Sequence, residues 1–270
     1  MVKYEKGDLK LLKKLLPILL ILIMVIMSGC KEQKKLNQLE QIIERDKLIV
    51  GVKTDSKPFG YIDSGTLEII GFDIDIARRV AKDLLGSETK VKFVPVTPEN
   101  RIETLTSGQA DIIIATMSVT KAREEVVDFS EPYFIAGESA AVLNNGKIQS
   151  YADLNQKRVL VVLGTTAAGN IKNNIPGSLI VGYKNYDEMF DALKSNRGDA
   201  AVTDDAILSG FVMDNPDYKL LNPRLTIEPY GIGLRKGDNS ASLKNAVNRT
   251  ISAMKSDGTI NSLKQKWGIN

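Results

Sequence analysis

Short β-branched runs alternate with amphipathic helical segments along the chain, and this order constrains the fold more than any other feature. Residues 48–52 and 110–115 are apolar runs typical of buried strands, and residues 90–96 alternate in polarity as a strand does. Between the strands at 48–52 and 90–96, apolar residues recur every four positions and form one helical face: Phe72, Ile76, Val80 and Leu84. Strands that alternate with helices predict a mostly parallel sheet covered by helices on both faces.

The same order begins again after residue 140. The predicted elements of this second unit are strands at 158–163, 180–183 and 200–202 and helices at 186–196 and 204–211. A chain of 270 residues is long enough to bury two cores of this kind. The sequence therefore predicts an α/β protein with two lobes.

The first 29 residues have the layout of an export signal. Five lysines precede an apolar run at residues 15–27, which ends in Ser28, Gly29 and Cys30. At about 1.5 Å per residue this run is too short for the ~30 Å hydrocarbon core of a bilayer, so a permanent transmembrane helix is disfavoured. The small residues before Cys30 resemble a bacterial lipobox. That resemblance implies that Cys30 carries a diacylglycerol anchor and becomes the N-terminus of the mature protein.

A lipid-anchored protein of this kind works outside the cytoplasm, and we expect it in a bacterium with a single membrane. Residues 30–39 then form a polar tether between the lipid and the folded part of the chain. The alternative for Cys30 is a buried or stray thiol. Cys30 is the only cysteine, so the sequence predicts no intramolecular disulfide.

Charge and composition exclude several classes of function. Without the signal, the chain holds 31 basic and 31 acidic residues, so its formal net charge is zero and no nucleic-acid partner is indicated. The chain has no histidine, which excludes histidine metal ligands and Ser-His-Asp or Cys-His nucleophile systems. The sequence predicts no metal and no cofactor.

Several short segments, each weak alone, resemble in order and spacing the extracellular amino-acid-binding proteins of ABC importers. They are GVK at 51–53, PF at 58–59, GFDID at 71–75, GQAD at 108–111, TKAR at 120–123, VDFSEPY at 127–133, LGTT at 163–166, RGDAAVTD at 197–204 and KWG at 266–268. The resemblance implies a periplasmic-binding-protein-like fold, with two α/β lobes joined by two crossover hinges. It places lobe one at residues 40–137 plus 229–270 and lobe two at residues 138–228. The crossovers would lie near 135–139 and 227–230.

Polar side chains follow the predicted strands at their carboxyl ends, where open α/β sheets bind ligands. They are Lys53 and Asp55 after one strand, Thr116 and Ser118 after another, Gly164, Thr165 and Thr166 after a third, and Asp204 after a fourth. The third group directly precedes a helix, whose N-terminus favours a carboxylate. Together these groups offer what an α-amino acid requires, which is donors and a cation for its carboxylate and an acid for its ammonium.

The resemblance assigns roles to the ends of the ligand. Arg123 would hold the ligand α-carboxylate in a bidentate pair, with help from Ser118 and Thr166. Asp204 would hold the ligand ammonium, and Asp205 would replace it if the alignment is shifted by one residue. The alternatives are ordinary helix capping by the threonines and aspartates, and a surface ion pair of Arg123 with one of the two glutamates that follow it.

The side-chain pocket is expected near Lys53, Asp55, Phe59 and Arg101. Two cations suit a second carboxylate, and Lys53 and the segment around Arg101 resemble the glutamate/aspartate-binding branch of the family. Asp55 opposes this interpretation, because it can pair with Lys53 or hold the ammonium of another ligand. Phe59 is expected in the core or in the cleft wall. The sequence therefore ranks glutamate or aspartate first, glutamine or another polar amino acid second, and a basic amino acid third.

The predicted function is binding without chemistry. A monomer closes its lobes on an amino acid and delivers it to an ABC permease and its ATPase. A second possibility from the fold family is a dehydratase acting on a small carboxylic acid, with an acid or base among Glu99, Glu103 and Glu131. A third is a sensor whose closed form signals through a receptor protein.

Overall fold

The structure is a computed structural model, and it describes residues 36–269. The predicted signal, Cys30 and most of the predicted tether lie outside the described residues. Residues 37–269 belong to one compact unit. None of the helices that the structure describes is both long enough and apolar enough to cross a membrane.

The strands and helices that the sequence predicts occur in the predicted order, and the structure contains further short strands between them. The strands are β1 Leu48–Val52, β2 Asp55–Ser56, β3 Gly60–Ile62, β4 Ile69–Ile70, β5 Val91–Pro95, β6 Ile112–Ile113, β7 Val127–Phe129, β8 Phe134–Ala136, β9 Glu138–Leu143, β10 Arg158–Val162, β11 Leu179–Tyr183, β12 Ala200–Asp204, β13 Tyr218–Leu220, β14 Glu228–Tyr230 and β15 Gly233–Arg235. The helices are α1 Gln38–Arg45, α2 Phe72–Leu85, α3 Arg101–Thr106, α4 Lys121–Glu124, α5 Ala167–Asn174, α6 Tyr186–Lys194, α7 Asp205–Asp214, α8 Asp238–Ser256 and α9 Thr259–Lys266, with a 3₁₀ turn at Tyr151–Leu154.

The first sheet has the strand order β5-β1-β6-β15-β7. Strand β1 runs parallel to β5 and β6, whereas β15 is antiparallel to β6 and β7. The sheet is therefore parallel on one side and antiparallel on the other. The antiparallel side arises because the chain returns to this sheet after residue 230, from the opposite direction.

The second sheet has the same plan, in the order β11-β10-β12-β9-β13. Strand β10 is parallel to β11 and β12, and β9 is antiparallel to β12 and β13. Side chains alternate across the sheet, so Ala140 and Val202 pack with Ile171 of α5 in one core, whereas Ala141 and Ala201 belong to the core on the other face. The two faces are thus covered by different helices.

Two short strands connect the sheets. Strands β8 and β14 pair antiparallel, with Ile135 opposite Pro229, and both overlap the segments where crossovers are expected. Phe134 and Tyr230 from these strands pack against Phe59, with ring centroids 5.2 and 5.5 Å away. The connections are therefore held against the aromatic core of the first lobe.

The predicted elements differ from the described ones mainly at their ends. The expected strand at 110–115 pairs only at Ile112–Ile113, and the backbone at Thr116 takes the left-handed conformation with φ 45°. A residue with this backbone conformation interrupts the extended strand, so the chain turns away from the sheet here. This turn directs the residues after β6 toward the crossovers.

Candidate functional site

The predicted binding residues converge where the two lobes face each other beside the crossovers. Arg123 of the first lobe donates from Nη2 to the carbonyl of Gly164 in the second lobe at 3.0 Å, and Arg101 lies 3.5 Å from the same carbonyl. A Cβ built on Gly164 would lie 2.6 Å from the backbone of Pro98 across the gap. The lobes therefore meet in a closed arrangement at this point.

Arg123 reaches into the cleft from α4, which is one turn long. Its Nη1 donates to the Ser118 carbonyl at 2.7 Å, and its Nη2 donates to Gly164. These two bonds use two of the five N–H groups of the guanidinium. Burial lowers the pKa of Arg123, while Glu228 and Asp204 oppose that shift. The surface ion pair considered from the sequence is not found among the ion pairs of the described residues, where Arg123 instead bridges the lobes.

The loop at Gly164–Thr166 brings the N-terminus of α5 to the cleft. Gly164 has φ +77°, a conformation that favours glycine. The Thr165 hydroxyl donates to the Val162 carbonyl at 2.6 Å, and it lies 3.4 Å from the Ala167 N–H. Thr166 stands at the N-cap position, yet its side chain forms no capping hydrogen bond.

The adjacent aspartates 204 and 205 have different environments. Asp205 accepts hydrogen bonds from the Gly137 N–H at 3.1 Å and from Arg224 Nε at 2.5 Å, so it ties α7 to the segment after the first crossover. Asp204 is 6% exposed and accepts from the Tyr230 hydroxyl at 2.5 Å. Its side chain makes no helix-capping bond, although it occupies the N-cap position of α7. Burial raises the pKa of Asp204 to about 7.

Lys53 and Asp55 form an ion pair at the end of β1. The Nζ of Lys53 lies 2.8 Å from Asp55 Oδ1, and Lys53 is 1% exposed. The same ammonium lies 5.3 Å from the centre of the Tyr186 ring, and Asp55 Oδ2 accepts from the Tyr186 N–H at 2.9 Å. Burial lowers the pKa of Lys53, and Asp55 opposes the shift. The pair is thus held against the first turn of α6 in the other lobe.

Arg101 is buried behind the cleft at the start of α3. Its Nη1 donates to the Ala115 carbonyl at 2.8 Å, and the side chain is 2% exposed. Its Nε has no hydrogen-bond partner in the structure. Burial and the neighbouring Arg123 lower the pKa of Arg101 to about 9. Arg101 is therefore a desolvated cation with unused hydrogen-bonding capacity.

Thr116 and Ser118 line the cleft on the side of the first lobe. The Thr116 N–H donates to Asp73 Oδ2 at 2.9 Å, and the Tyr133 hydroxyl donates to the other oxygen of Asp73 at 2.9 Å. Asp73 lies in the first turn of α2, whose N-cap position is held by Gly71. Asp73 supports the left-handed turn at Thr116, and this role depends on a contact that the local sequence does not reveal.

Phe59 lies in the core rather than on an open surface. It is 0% exposed and contacts the rings of Phe72, Phe134 and Tyr230 edge to face. Tyr61, two residues later, packs against Trp267 with ring centroids 6.2 Å apart. Phe59 therefore supports the crossovers from behind.

The acids considered for a dehydratase do not converge on the cleft. Glu99, Glu103 and Glu131 are all exposed. The Glu131 carboxylate lies 3.4 Å from the Ser252 hydroxyl and 3.8 Å from Lys255 Nζ, both on α8. Glu131 therefore contacts the outer helix α8, whereas the backbone of Glu99 lies at the cleft beside Gly164.

Sequence reasoning missed a group of polar residues at the crossovers. Glu138, at the start of β9, is 0% exposed, and Glu228 in β14 is 5% exposed. Asn170 of α5 donates to both carboxylates, at 2.5 and 3.0 Å. An acid at the first position of a strand whose last four residues are apolar was the available signal.

Comparison with known proteins identifies the family. Residues 48–270 match the model of the bacterial extracellular solute-binding proteins of family 3. The chain is 43% identical over 241 residues to the ABC transporter glutamine-binding protein GlnH of Bacillus subtilis (strain 168), covering 89% of this chain and 87% of that protein. It is 45% identical over 201 residues to a glutamine-binding protein of Geobacillus stearothermophilus, covering 74% and 77%.

A solved structure supports the fold and the binding class. The crystal structure of an ancestral amino acid-binding protein, described as a precursor of cyclohexadienyl dehydratase, matches with a TM-score of 0.78 and 38% identity, covering 85% of this chain and 98% of that chain. The predicted fold and the predicted family are confirmed. The predicted glutamate/aspartate branch is not supported by the two curated relatives, whose names refer to glutamine.

Proposed function

The chain belongs to the bacterial extracellular solute-binding proteins of family 3, which makes it an amino-acid-binding protein for ABC transport, and from that premise we propose that its ligand is glutamine. The ligand would lie in the cleft between the lobes, beside the crossovers. The observation that carries this choice is the Lys53–Asp55 ion pair. The two curated relatives named for glutamine support it.

The ends of the zwitterion would meet opposite charges. The Arg123 guanidinium keeps N–H groups beyond those that bind Ser118 and Gly164, and these would hold the α-carboxylate. The N-terminus of α5 at Thr166 would add backbone donors. Asp204 rather than Asp205 would hold the ammonium, because Asp205 is already bonded to Arg224 and Gly137.

The side chain of glutamine requires both a donor and an acceptor. Lys53 has donors and Asp55 has acceptor oxygens, and their charges compensate each other. A neutral carboxamide would therefore find both kinds of partner without bringing an uncompensated charge into a closed cleft. A second carboxylate would have to compete with Asp55 for Lys53.

Glutamate or aspartate remains a second candidate because of Arg101. Its buried guanidinium has an Nε without a partner, and a ligand carboxylate would satisfy it. This candidate requires Arg101, rather than Lys53, to hold the second carboxylate. The two candidates thus differ in which lobe-one cation contacts the ligand side chain.

The experiment that tests the proposal is calorimetric titration of the full-length protein, purified in detergent, with the twenty amino acids. We expect glutamine to bind most tightly and glutamate to bind more weakly. Tighter binding of glutamate together with loss of that binding in Arg101→Met would favour the second candidate. Binding of no amino acid would reject the proposed function as a whole.

We also propose that Cys30 carries the lipid anchor and that the lobes are residues 40–137 plus 229–270 and residues 138–228. The paired strands β8 and β14 would act as the two hinges. The closed form would be the one that the permease recognises. Mass spectrometry of the purified protein tests the anchor: an N-terminal peptide that begins at unmodified Met1 would reject it.

A further inference from the structure

Glu138 and Asp204 face each other across neighbouring strands. They are register partners in the antiparallel pairing of β9 with β12. Directly opposite residues of antiparallel strands point to the same face of the sheet, which here is the face covered by α5. Glu138 is 0% exposed and Asp204 is 6% exposed. Two buried acids therefore lie side by side at the end of the sheet that meets the cleft.

One oxygen of Glu138 is held and the other is not. Asn170 donates to Oε2 at 2.5 Å, whereas Oε1 is buried and has no hydrogen-bond partner in the structure. An unpaired buried oxygen of this kind is costly. The Asn170 bond fixes the side chain, so Oε1 is presented in one orientation.

The charged and titratable groups around Glu138 are mostly acidic. Asp204 and Glu228 both raise the pKa of Glu138, and Glu138 in turn raises the pKa of Tyr151 in the 3₁₀ turn. On the cleft side, Arg123 is a compensating cation, because Glu228 and Asp204 oppose the lowering of its pKa by burial. Like charges placed opposite each other in a sheet destabilise it. The group therefore contains more acidic than basic side chains. A cation between Glu138 and Asp204 would compensate their negative charge.

We infer that Glu138 is a second acceptor for the ligand ammonium, next to Asp204, and that it selects ligands with a charged amino group. The inference rests on the proposed function, because it concerns the same cleft. Tyr230 holds Asp204 Oδ2, so the ammonium would be shared by the other oxygen of Asp204 and by Glu138 Oε1. Glu138 would thus determine specificity together with the aspartate.

This arrangement predicts a proton release on binding. Burial and the neighbouring acids raise the pKa of Glu138 to about 8 and that of Asp204 to about 7. At neutral pH Glu138 is therefore mainly protonated in the unliganded closed cleft. An ammonium beside it favours the carboxylate, so ligand binding would expel the proton and affinity would rise with pH.

The test is calorimetry of the full-length protein in detergent at pH 7 with glutamine as the probe, in two buffers of different ionisation enthalpy. Glu138→Gln has nearly the shape of the protonated acid, so it should fold. Glu124→Gln is the matched control, because it removes a glutamate from an exposed position. We expect Glu138→Gln to bind glutamine roughly ten- to a hundredfold more weakly and to release fewer protons than the wild type. The control should match the wild type.

Glutamine binding by Glu138→Gln within twofold of the wild type would overturn the inference and leave the proposed function intact. Wild-type protein that binds glutamine without releasing protons would overturn it as well, and this measurement does not depend on any variant. If the amino-acid panel identifies another ligand, the same comparison is made with that ligand. If no amino acid binds, the proposed function and the inference fail together.

Discussion

The two walls of the cleft carry opposite charges and come from different parts of the chain. The basic wall, Arg101 and Arg123, follows the strands of the first sheet. The acidic wall, Glu138, Asp204 and Glu228, comes from the second sheet and from the crossover strand β14. Neighbours within each wall disfavour each other's charge, since Arg123 lowers the pKa of Arg101 and Asp204 raises that of Glu138.

The opposite charges of the two walls explain why closure of the lobes would accompany ligand binding. Asp204 and Glu228 favour the charged form of Arg123 only because the walls are close enough to interact. A zwitterion placed between them with its carboxylate toward the arginines would be favourable for both walls. A ligand that lacks either charge would leave one wall uncompensated.

The largest expected effect is the pH dependence of folding stability, which comes from three buried acids, two of them in the acidic wall. The folded protein holds protons on Glu138, with a pKa of about 8, and on Asp204 and Asp73, each about 7. The unfolded chain has released these protons by pH 5, so it binds fewer protons than the folded state. The free energy of unfolding without ligand should therefore fall between about pH 5 and 8, by roughly 3 kcal/mol for each of the three groups. Urea titrations across this range measure the fall, and a rise would contradict it.

Removing one charge from either wall should strongly weaken ligand binding. We expect Arg123→Met and Asp204→Asn each to weaken glutamine binding roughly 30-fold or more, because the remaining partner stays buried and uncompensated. Asp205→Asn is the control for Asp204→Asn, since Asp205 bonds to Arg224 and Gly137 instead. Equal losses in the two aspartate variants would show that the ammonium site has been assigned to the wrong residue.

Substitution of one glycine tests whether ligand binding requires the close approach of the two lobes. A Cβ at Gly164 would collide with Pro98 across the cleft, and its φ of +77° adds strain. Gly164→Ala should weaken glutamine binding roughly tenfold. Gly169→Ala makes the same change in α5, where nothing lies within 4 Å of the added atom, and calorimetry should find it unchanged. Similar affinities for both variants would mean that the lobes need not approach so closely.

The smallest effect is expected for exposed charges that also cross the cleft. Lys57 Nζ lies 2.7 Å from Asp214, and both side chains are largely exposed, at 41% and 56%. Exposed ion pairs contribute little to stability. Lys57→Met should therefore change glutamine affinity by less than about fivefold. A larger loss would show that the rim of the cleft, as well as its buried walls, drives closure.

Much of the fold follows from local patterns. The four-residue period at Phe72 and the β-branched run at 48–52 give α2 and β1 as predicted, because side-chain periodicity is a local property of helices and strands. The expected end of the strand at 110–115 is wrong, since Asp73, distant in sequence, stabilises the turn at Thr116. Local patterns do not contain that contact.

The sequence by itself determined the two-lobed α/β class, the family, and the strand ends where polar groups gather. Only the tertiary structure decided the partners of those groups: Lys53 is paired with Asp55, Arg123 reaches Gly164, and Glu138 lies opposite Asp204. The physical reason is that periodicity determines the face on which a side chain lies. Strand register and closure of the lobes determine which side chains from distant parts of the sequence it contacts. The balance of charge in the cleft depends on those long-range contacts.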